Sequence, residues 1–112
     1  MLAKQNRVVN AADFRGTMRA GRRITTDHAI VYIASRSEAE PSRFGFVVSK
    51  AVGNAVVRNH LRRRLRAIAQ EQVVAGSRSA DIVVRALPGS GDLSWVSLHD
   101  EIVGALAKGA RR

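Results

Sequence analysis

The stretch FGFVVSKAVGNAVVRNHLRRRLRAIA, residues 44–69, predicts a strand, a glycine turn and a helix that carries arginines along one side. Gly53 supplies the turn and Asn54 is a suitable N-cap for the helix that follows. The helix is expected to run to about Ala75 and to end at Gly76. Its apolar side chains recur at helical spacing, which predicts a stripe packed against a sheet. The stripe consists of Val57, Leu61, Leu65 and Ile68.

The same helix carries a basic face beside its apolar stripe. No acidic residue lies between residues 51 and 70, whereas a solvated surface helix normally intersperses charges of both signs. Like charges at i, i+4 repel by roughly a few tenths of a kcal/mol per pair. This arrangement favours a polyanionic partner that supplies the missing charge, and a solvated basic surface is the alternative. The face consists of Arg58, Asn59, Arg62, Arg63 and Arg66.

The whole chain is strongly basic. It has 19 Lys and Arg against 9 Asp and Glu, which gives a formal net charge of +10. Sixteen of the 19 bases are arginine, whose planar guanidinium matches phosphate and stays charged. A basic domain of this kind most often binds nucleic acid, and an anionic lipid surface is the alternative partner.

Length and composition limit the class of protein. The 112 residues predict a single RNA-binding domain over residues 1–112, with a mostly aliphatic core because aromatics are only 4%. The absence of cysteine excludes disulfides, a zinc knuckle and thiol catalysis. No apolar run approaches the roughly 20 residues that span a bilayer, and no apolar signal-peptide segment is present. We therefore expect a cytoplasmic protein without a membrane partner.

Hydrophobic periodicity and turn residues predict the remaining elements. Asn10 is expected to cap a short helix at about residues 11–20, and Ser94 is expected to cap a final helix. Residues 35–43 are polar, contain proline and predict a hairpin loop. Strands are predicted at residues 28–34, 43–49 and 80–87.

These elements predict an α/β fold, an α+β two-layer sandwich in which helices flank a small mixed sheet. Their order is α-β-β-α-β-α. The third strand follows the long helix, so it can pair in parallel with the second strand through a β-α-β crossover. Residues 77–79 are expected to form a loop. The basic ends, residues 1–9 and 108–112, are expected to be flexible.

The second strand alternates bulky and small side chains, which point to opposite faces of a sheet. We expect a helix to cover the bulky face and the smaller face to stay open as a shallow groove. Tyr32, Val47 and Ser49 would line this groove. Phe14 and Met18 lie four apart on the short helix, and from spacing alone we expect them to be core residues. The bulky side chains are Phe44, Phe46 and Val48.

No pattern of catalytic residues accompanies these elements. The sequence has no metal-ligand spacing, phosphate-binding glycine loop or nucleophile elbow. Trp95 and His99 are expected to be a core and a surface residue rather than a base-stacking and a proton-transfer residue. The residues therefore predict a nucleic-acid-binding domain without a catalytic site. RNA is favoured over DNA, because a sheet flanked by helices offers a single-strand groove beside the basic helix.

Residues 50–66, KAVGNAVVRNHLRRRLR, resemble the most distinctive helix of the bacterial ribonuclease P protein component. The shared features are a Ser-Lys pair, a Gly-Asn-Ala-Val turn and an Arg-Asn pair followed by a basic couplet. The order of elements fits that family over residues 4–108. The resemblance implies a left-handed β-α-β crossover, against the usual right-handed rule.

The same resemblance implies a function. This family supplies the small subunit of a ribonucleoprotein that removes the 5′ leader from precursor tRNA. The RNA subunit would carry the chemistry with its own Mg²⁺, so no cofactor is expected on a motif of the protein. The partners would be ribonuclease P RNA and precursor tRNA, and no protein partner would be required.

The resemblance also assigns residues to two surfaces, a helix against the RNA subunit and a groove for the single-stranded leader. Family members often have an aromatic residue at Met18 and basic residues at Ala51 and His60, so leader binding is expected to differ in strength here. The RNA-binding residues are Lys50, Arg58, Asn59, Arg62, Arg63 and Arg66. The groove residues are Phe14, Met18, Tyr32, Val47 and Ser49.

Other classes of function fit some of these residues. A ribosomal or RNA-chaperone protein would coat many RNAs with little preference. A DNA-binding protein would place residues 55–70 in a major groove and would show dimer symmetry. Membrane-surface binding fits poorly with Asn59 and with the small number of aromatics. The self-repulsion of a +10 chain also raises the question of whether the free protein needs anions to fold.

Overall fold

The computed structural model describes residues 2–76 and 79–110, apart from the side chain of Ala110. Within these ranges the chain forms three α-helices and four strands, and none of the helices is long and apolar enough to cross a membrane. The helices are α1, Ala11–Ala20; α2, Ala55–Val74; and α3, Trp95–Ala110. The strands are β1, Arg22–Thr25; β2, Ala29–Ser35; β3, Arg43–Val47; and β4, Ala80–Ala86. Single turns of 3₁₀ helix lie at Lys4–Asn6 and Ser90–Asp92.

The strands form one mixed sheet in the order β1-β2-β4-β3. β1 and β4 pair antiparallel with β2, whereas β3 pairs in parallel with β4. Since α2 connects β3 to β4, the predicted β-α-β unit and the mixed-sheet α/β fold class are confirmed. The hand of this crossover stays an expectation from the family resemblance.

The sheet differs from the predicted one in two respects. β2 and β3 do not form a hairpin, because β4 lies between them. β1 has no counterpart in the predicted order, since it is only four residues long and begins with the exposed Arg22 and Arg23. Its Ile24 is buried in the core and pairs with Val31. Pairing and burial therefore make a strand of a segment whose local composition does not predict one.

The main hydrophobic core lies between one face of the sheet and the pair α2 and α3. Leu61, Leu65 and Ile68 of α2 are each at most 2% exposed, which confirms most of the predicted apolar stripe. Burying a side chain of this size stabilises the fold by about 1.5–3 kcal/mol. These contacts fix the rotation of α2 on the sheet and thereby turn its arginines outward. The partners of the stripe include Val31, Phe44, Val84, Leu98 and Ile102.

α2 begins and ends as predicted. The Asn54 side chain accepts a hydrogen bond of 3.0 Å from the backbone N–H of Val57, which caps the first turn. Ala75 closes the last turn through its N–H to the carbonyl of Glu71. Gly76 then has a φ of 77°, which side-chain-bearing residues rarely adopt, so the helix stops there.

α1 lies across the opposite face of the sheet. Asn10 caps it by accepting a 2.8 Å hydrogen bond from the N–H of Asp13, as predicted. Phe14 lies directly over Gly45 of β3, where an added Cβ would come within 2.6 Å of the phenyl ring. The small residue in β3 thus makes room for the aromatic side chain of the helix.

Residues 2–9 are packed against the sheet, which contradicts the flexible basic arm predicted there; residue 1 of that arm lies outside the described ranges. Leu2 is only 1% exposed and belongs to the main core. Val8 is also buried, and its N–H donates a 3.0 Å hydrogen bond to the carbonyl of Phe44. Residues 2–9 therefore cover part of the outer edge of β3, the last strand of the sheet.

Two other predicted flexible or loop segments are described only in part. α3 continues through residues 108–110, so this part of the predicted basic tail is helical. Residues 111–112 of that tail and residues 77–78 of the predicted loop lie outside the described ranges.

Candidate nucleic-acid interface

The outward side of α2 presents the predicted RNA-binding residues. Asn59, Arg63 and Arg66 are exposed, whereas Arg58 and Arg62 are half-buried at the border with the core. This ranking follows from helical geometry, because 3.6 residues per turn place the two half-buried arginines beside the buried stripe. Neither Arg63 nor Arg66 forms an ion pair or a hydrogen bond with another described side chain. Both cations are free to bind an external anion.

The two half-buried arginines differ in their contacts. Arg62 donates through Nη2 to the carbonyl oxygen of Val48 at 3.2 Å and through Nη1 to the side chain of Asn59 at 3.4 Å. The Nε of Arg58 is shielded from solvent and has no hydrogen-bond partner among the described residues. The contact of Arg62 with Val48 joins the helix surface to the end of β3.

Arg64 lies on a different side of α2 from Arg62 and Arg63. It donates through Nη1 to the carbonyl oxygen of Leu93 at 2.9 Å, on the side of α2 that faces the segment before α3. Its guanidinium therefore stabilises the packing of that segment. Arg64 is not among the predicted RNA-binding residues.

Ser49 and Lys50 are exposed at the turn that leads from β3 into α2. Their carbonyl groups accept hydrogen bonds from the N–H groups of Val52, at 3.1 Å, and Gly53, at 3.2 Å. The turn therefore has a defined backbone. It places both side chains between the strand face and the basic side of α2.

The predicted groove residues come together on the α1 side of the sheet. Phe14, Met18 and Val47 are half-buried and pack around a buried cluster that contains Tyr32, Ile30 and Val83. The face is less open than predicted, because α1 covers part of it and Tyr32 is only 7% exposed. Tyr32 therefore supports the groove from below, and Phe14, Met18 and Val47 keep accessible surface.

Arg43 fixes the position of α1 on this face. It makes a bidentate contact with Asp81 of β4, at 2.8 and 2.7 Å, and reaches Asp13 of α1 at 3.3 Å. Hydrogen bonding to Asp81 raises the pKa of Arg43 above its ordinary value, so the guanidinium stays charged. Because Asp13 immediately precedes Phe14, this network places the aromatic side chain. Arg43 had no predicted role, because nothing in its local sequence reveals the distant carboxylates.

Arg85 is a second residue without a predicted role. It is exposed on the central strand β4, in register with Ile30 on one side and Val47 on the other. Residues paired in this way project from the same face, so Arg85 stands on the groove side of the sheet. Its alternation with the buried Val83 is the sequence signal that could have placed it there.

Trp95 differs from its predicted position in the core. It is 40% exposed at the start of α3, and its ring lies 5.6 Å from that of His99. His99 in turn pairs with Glu71 of α2 at 2.9 Å. Acidic residues thus accompany the aromatic pair, which makes this surface a poor site for RNA. Elsewhere too, the described residues bring no three His, Asp or Glu side chains together in a way that could hold a metal ion.

Comparison with known proteins finds relatives over nearly the whole chain. The family model described as Ribonuclease P matches residues 2–109. A ribonuclease P protein component from Clavibacter michiganensis subsp. michiganensis is 42% identical over 111 residues, which are 99% of this chain and 98% of that protein. One from Pseudarthrobacter chlorophenolicus is 45% identical over 106 residues, which are 95% of this chain and 78% of that protein.

Solved structures have the same arrangement of helices and strands. The RNase P protein of Staphylococcus aureus superposes with a TM-score of 0.86 at 26% identity, over 96% of this chain and 97% of that one. The RNase P protein of Thermotoga maritima superposes with a TM-score of 0.79, over 91% of this chain and 96% of that one. At 21% identity the latter likeness concerns the fold alone.

Proposed function

Because the chain belongs to the ribonuclease P protein family, we propose that its two adjoining surfaces bind two different RNAs. The chain is a protein component of that tRNA-processing enzyme, as residues 50–66 predicted. In the proposal, α2 and the turn before it bind the catalytic RNA subunit. The sheet face beside them binds the 5′ leader of precursor tRNA. The complex would act in the cytoplasm.

The observation that carries this proposal is the junction of the two surfaces. Arg62 donates to the carbonyl oxygen of Val48 at 3.2 Å, so the basic side of α2 begins where β3 ends. An RNA bound along α2 would therefore lie next to a strand bound across the sheet. One chain of 112 residues can thus hold the substrate leader against the RNA subunit.

Six residues of the first surface would contact the RNA subunit. Arg63 and Arg66 offer exposed guanidinium groups for phosphates, and Asn59 adds a donor and an acceptor for a ribose or a base edge. Lys50 adds a charge at the turn. Arg62 is held by its contacts with Val48 and Asn59, and both it and the half-buried Arg58 would present the outer edges of their guanidinium groups. The second surface uses Phe14, Met18, Val47 and Ser49 for the leader, with Tyr32 supporting them.

The proposed mechanism is electrostatic and selective. Two RNAs repel each other, and a protein of net charge +10 between them lowers that repulsion and releases counterions. Leader contacts add affinity for the precursor alone, because mature tRNA lacks the extra strand. The protein thereby favours substrate over product without taking part in bond cleavage.

The chemistry would belong to the RNA subunit. Mg²⁺ held there would stabilise the charge that develops during phosphodiester hydrolysis. The part of the protein that the structure describes has no cluster of ligands for such an ion. The side chains of the chain bind and orient the two RNAs.

Reconstitution tests the proposal. The protein is mixed with a ribonuclease P RNA and a precursor tRNA at low Mg²⁺, and the rate of 5′ cleavage is compared with that of the RNA alone. We expect stimulation by the protein. Polyarginine at equal charge concentration measures the part due to general charge neutralisation. An absence of stimulation, or equal stimulation by polyarginine, would overturn the proposal, and equal affinity for unrelated RNAs would favour an RNA chaperone.

A further inference from the structure

Arg85 occupies a distinctive place on the groove face of the sheet. Every other residue of β4 is buried or half-buried, whereas Arg85 is exposed. Its neighbours across the sheet are Ile30 on β2 and Val47 on β3, both members of the apolar cluster on this face. Arg85 thus places a cation directly beside the apolar cluster of this face.

The surroundings of Arg85 leave its charge uncompensated. No acidic residue within the described ranges forms an ion pair with it, and it makes no hydrogen bond to another described residue. By contrast, Arg43 on the same face is neutralised by Asp81 and Asp13. A long cationic side chain without a partner, flanked by aliphatic groups, is suited to an external anion.

The position of Arg85 relative to α1 defines what that anion could be. Phe14 of α1 lies over Gly45, which is in register with Val83. Arg85 lies two residues after Val83 in β4, which places it about 7 Å further along that strand, on the part of the sheet that α1 leaves exposed. A nucleotide with its base against the flank of Phe14 would bring a neighbouring phosphate within reach of the guanidinium. The exposed Ser49 and Lys50 continue this path toward α2.

We infer that Arg85 binds a backbone phosphate of the precursor tRNA leader and so sets the path of that strand across the sheet. This inference rests on the proposed leader groove and assigns it a residue that neither the spacing nor the family resemblance had assigned. A phosphate of the catalytic RNA has the same chemistry and is the alternative source of the anion. Precursor and mature tRNA distinguish the two, because only the precursor carries the leader.

The first experiment measures binding to the holoenzyme by the Arg85→Gln variant. We expect the dissociation constant for precursor tRNA to rise about five- to tenfold, which is the effect of losing one charge-assisted contact. The dissociation constant for mature tRNA should stay constant. The slope of log affinity against log salt should fall by about 0.7, the value for one phosphate on a single strand. Arg85→Lys should retain most of that slope.

A matched control removes one positive charge on the opposite side of the sheet from Arg85. Lys108→Gln lies on α3, which packs on the opposite face of the sheet, and should leave precursor binding unchanged. Circular dichroism and thermal melting check that both variants are folded. Equal weakening of precursor and mature tRNA by Arg85→Gln, or weaker assembly with the RNA subunit alone, would assign Arg85 to the catalytic RNA and overturn the inference.

A second experiment locates the phosphate. Single neutral methylphosphonate linkages are placed along the leader, and binding is measured with the wild-type protein and with Arg85→Gln. We expect one linkage to weaken wild-type binding and to have no further effect on the variant, which is the coupling expected of direct partners. Additive effects at every linkage would refute the contact. If the wild-type protein itself fails to prefer precursor over mature tRNA, the proposed groove is wrong; if it does prefer precursor and the variant matches it, only the role of Arg85 is wrong.

Discussion

At the scale of single residues, Phe14 shows how the fold prepares a binding surface. The glycine at position 45 lets the ring lie close to β3, and the contact of Asp13 with Arg43 holds the helix at that position. The ring is half-buried, so it packs on the sheet and still presents an accessible flank. Spacing alone favoured a purely structural role for it, whereas the accessible flank is what the proposed leader groove requires.

Replacing Phe14 tests the leader groove. We expect Phe14→Ala to raise the dissociation constant for precursor tRNA about tenfold through loss of base stacking, and to leave mature tRNA binding unchanged. Binding of both RNAs to the reconstituted holoenzyme measures this difference. Phe14→Leu is the control for packing, since it keeps an apolar contact over Gly45 but cannot stack. Equal losses for precursor and mature tRNA would count against the groove.

Glu101 of α3 ties the turn between β1 and β2 to the helix. Its carboxylate accepts hydrogen bonds from the Thr26 hydroxyl at 2.6 Å and from the backbone N–H of His28 at 2.8 Å, and it pairs with the ring of His28 at 2.9 Å. Burial acts to raise the pKa of Glu101, but the hydrogen bonds from Thr26 and His28 together lower it below its ordinary value. The ionised carboxylate is therefore the form that the fold prefers.

The sign of this pKa shift predicts the pH dependence of stability. The stabilisation provided by the ionised Glu101 is fully present above the pKa of the unfolded state, about 4.3. It is lost as the pH falls through the lower pKa of the folded state. Glu101→Gln should cost about 2 kcal/mol at pH 7 and should remove part of the loss of stability that occurs as the pH falls below about 4.3. Urea unfolding at several pH values measures both effects. Asp100→Asn, on the exposed neighbour, should change stability by less than about 0.5 kcal/mol.

At the scale of elements, α2 divides its side chains among three directions. Leu61 and Leu65 face the sheet, Arg64 faces the segment before α3, and Arg63 and Arg66 face solvent. The apolar contacts hold the helix in place while its like charges repel one another. In the proposed function, binding and folding thus use different sides of one helix, so substitutions should separate the two.

That separation can be tested with two single variants of the same charge. Arg66→Gln should weaken binding to the RNA subunit and lower its salt slope by about one, with little change in the melting temperature. Arg64→Gln should do the reverse, because it removes the hydrogen bond to Leu93 and costs about 1 kcal/mol of stability. Filter binding at several salt concentrations and thermal melting measure the two effects. Identical behaviour of the two variants would show that only net charge matters.

At the scale of the whole molecule, the sheet has different coverings on its two faces. α2 and α3 close one face around the main core, and α1 covers only part of the other. The uncovered remainder adjoins the basic side of α2, which concentrates positive charge at one junction. The free protein must hold this charge together without an RNA to compensate for it.

Anions should therefore stabilise the free protein. We expect millimolar pyrophosphate to raise the melting temperature more than sodium chloride of equal ionic strength, because it binds the folded basic surface as well as screening it. Thermal melting by circular dichroism measures the shift. Pyrophosphate should raise the melting temperature of the double variant Arg63→Gln/Arg66→Gln less than that of the wild-type protein. An equal response to both salts would indicate general screening, and no response to either would contradict the argument from self-repulsion.

Local patterns in the sequence determined the parts of this protein that depend on near neighbours. The bounds of α1 and α2, their caps at Asn10 and Asn54, and the apolar stripe were predictable, because helical hydrogen bonds and caps join residues three or four apart. The alternation in β3 likewise predicted which side chains share a face. The run of residues 50–66 was specific enough to indicate the family.

Only the tertiary structure decided what depends on residues far apart in the chain. The insertion of β4 between β2 and β3, the pairing of β1 and the packing of residues 2–9 rest on hydrogen bonds and burial supplied by distant segments. The same holds for the inward turn of Arg64 and for the place of Arg85 between Ile30 and Val47. The physical reason is that a strand has no internal partners, so its neighbours are chosen by the whole fold.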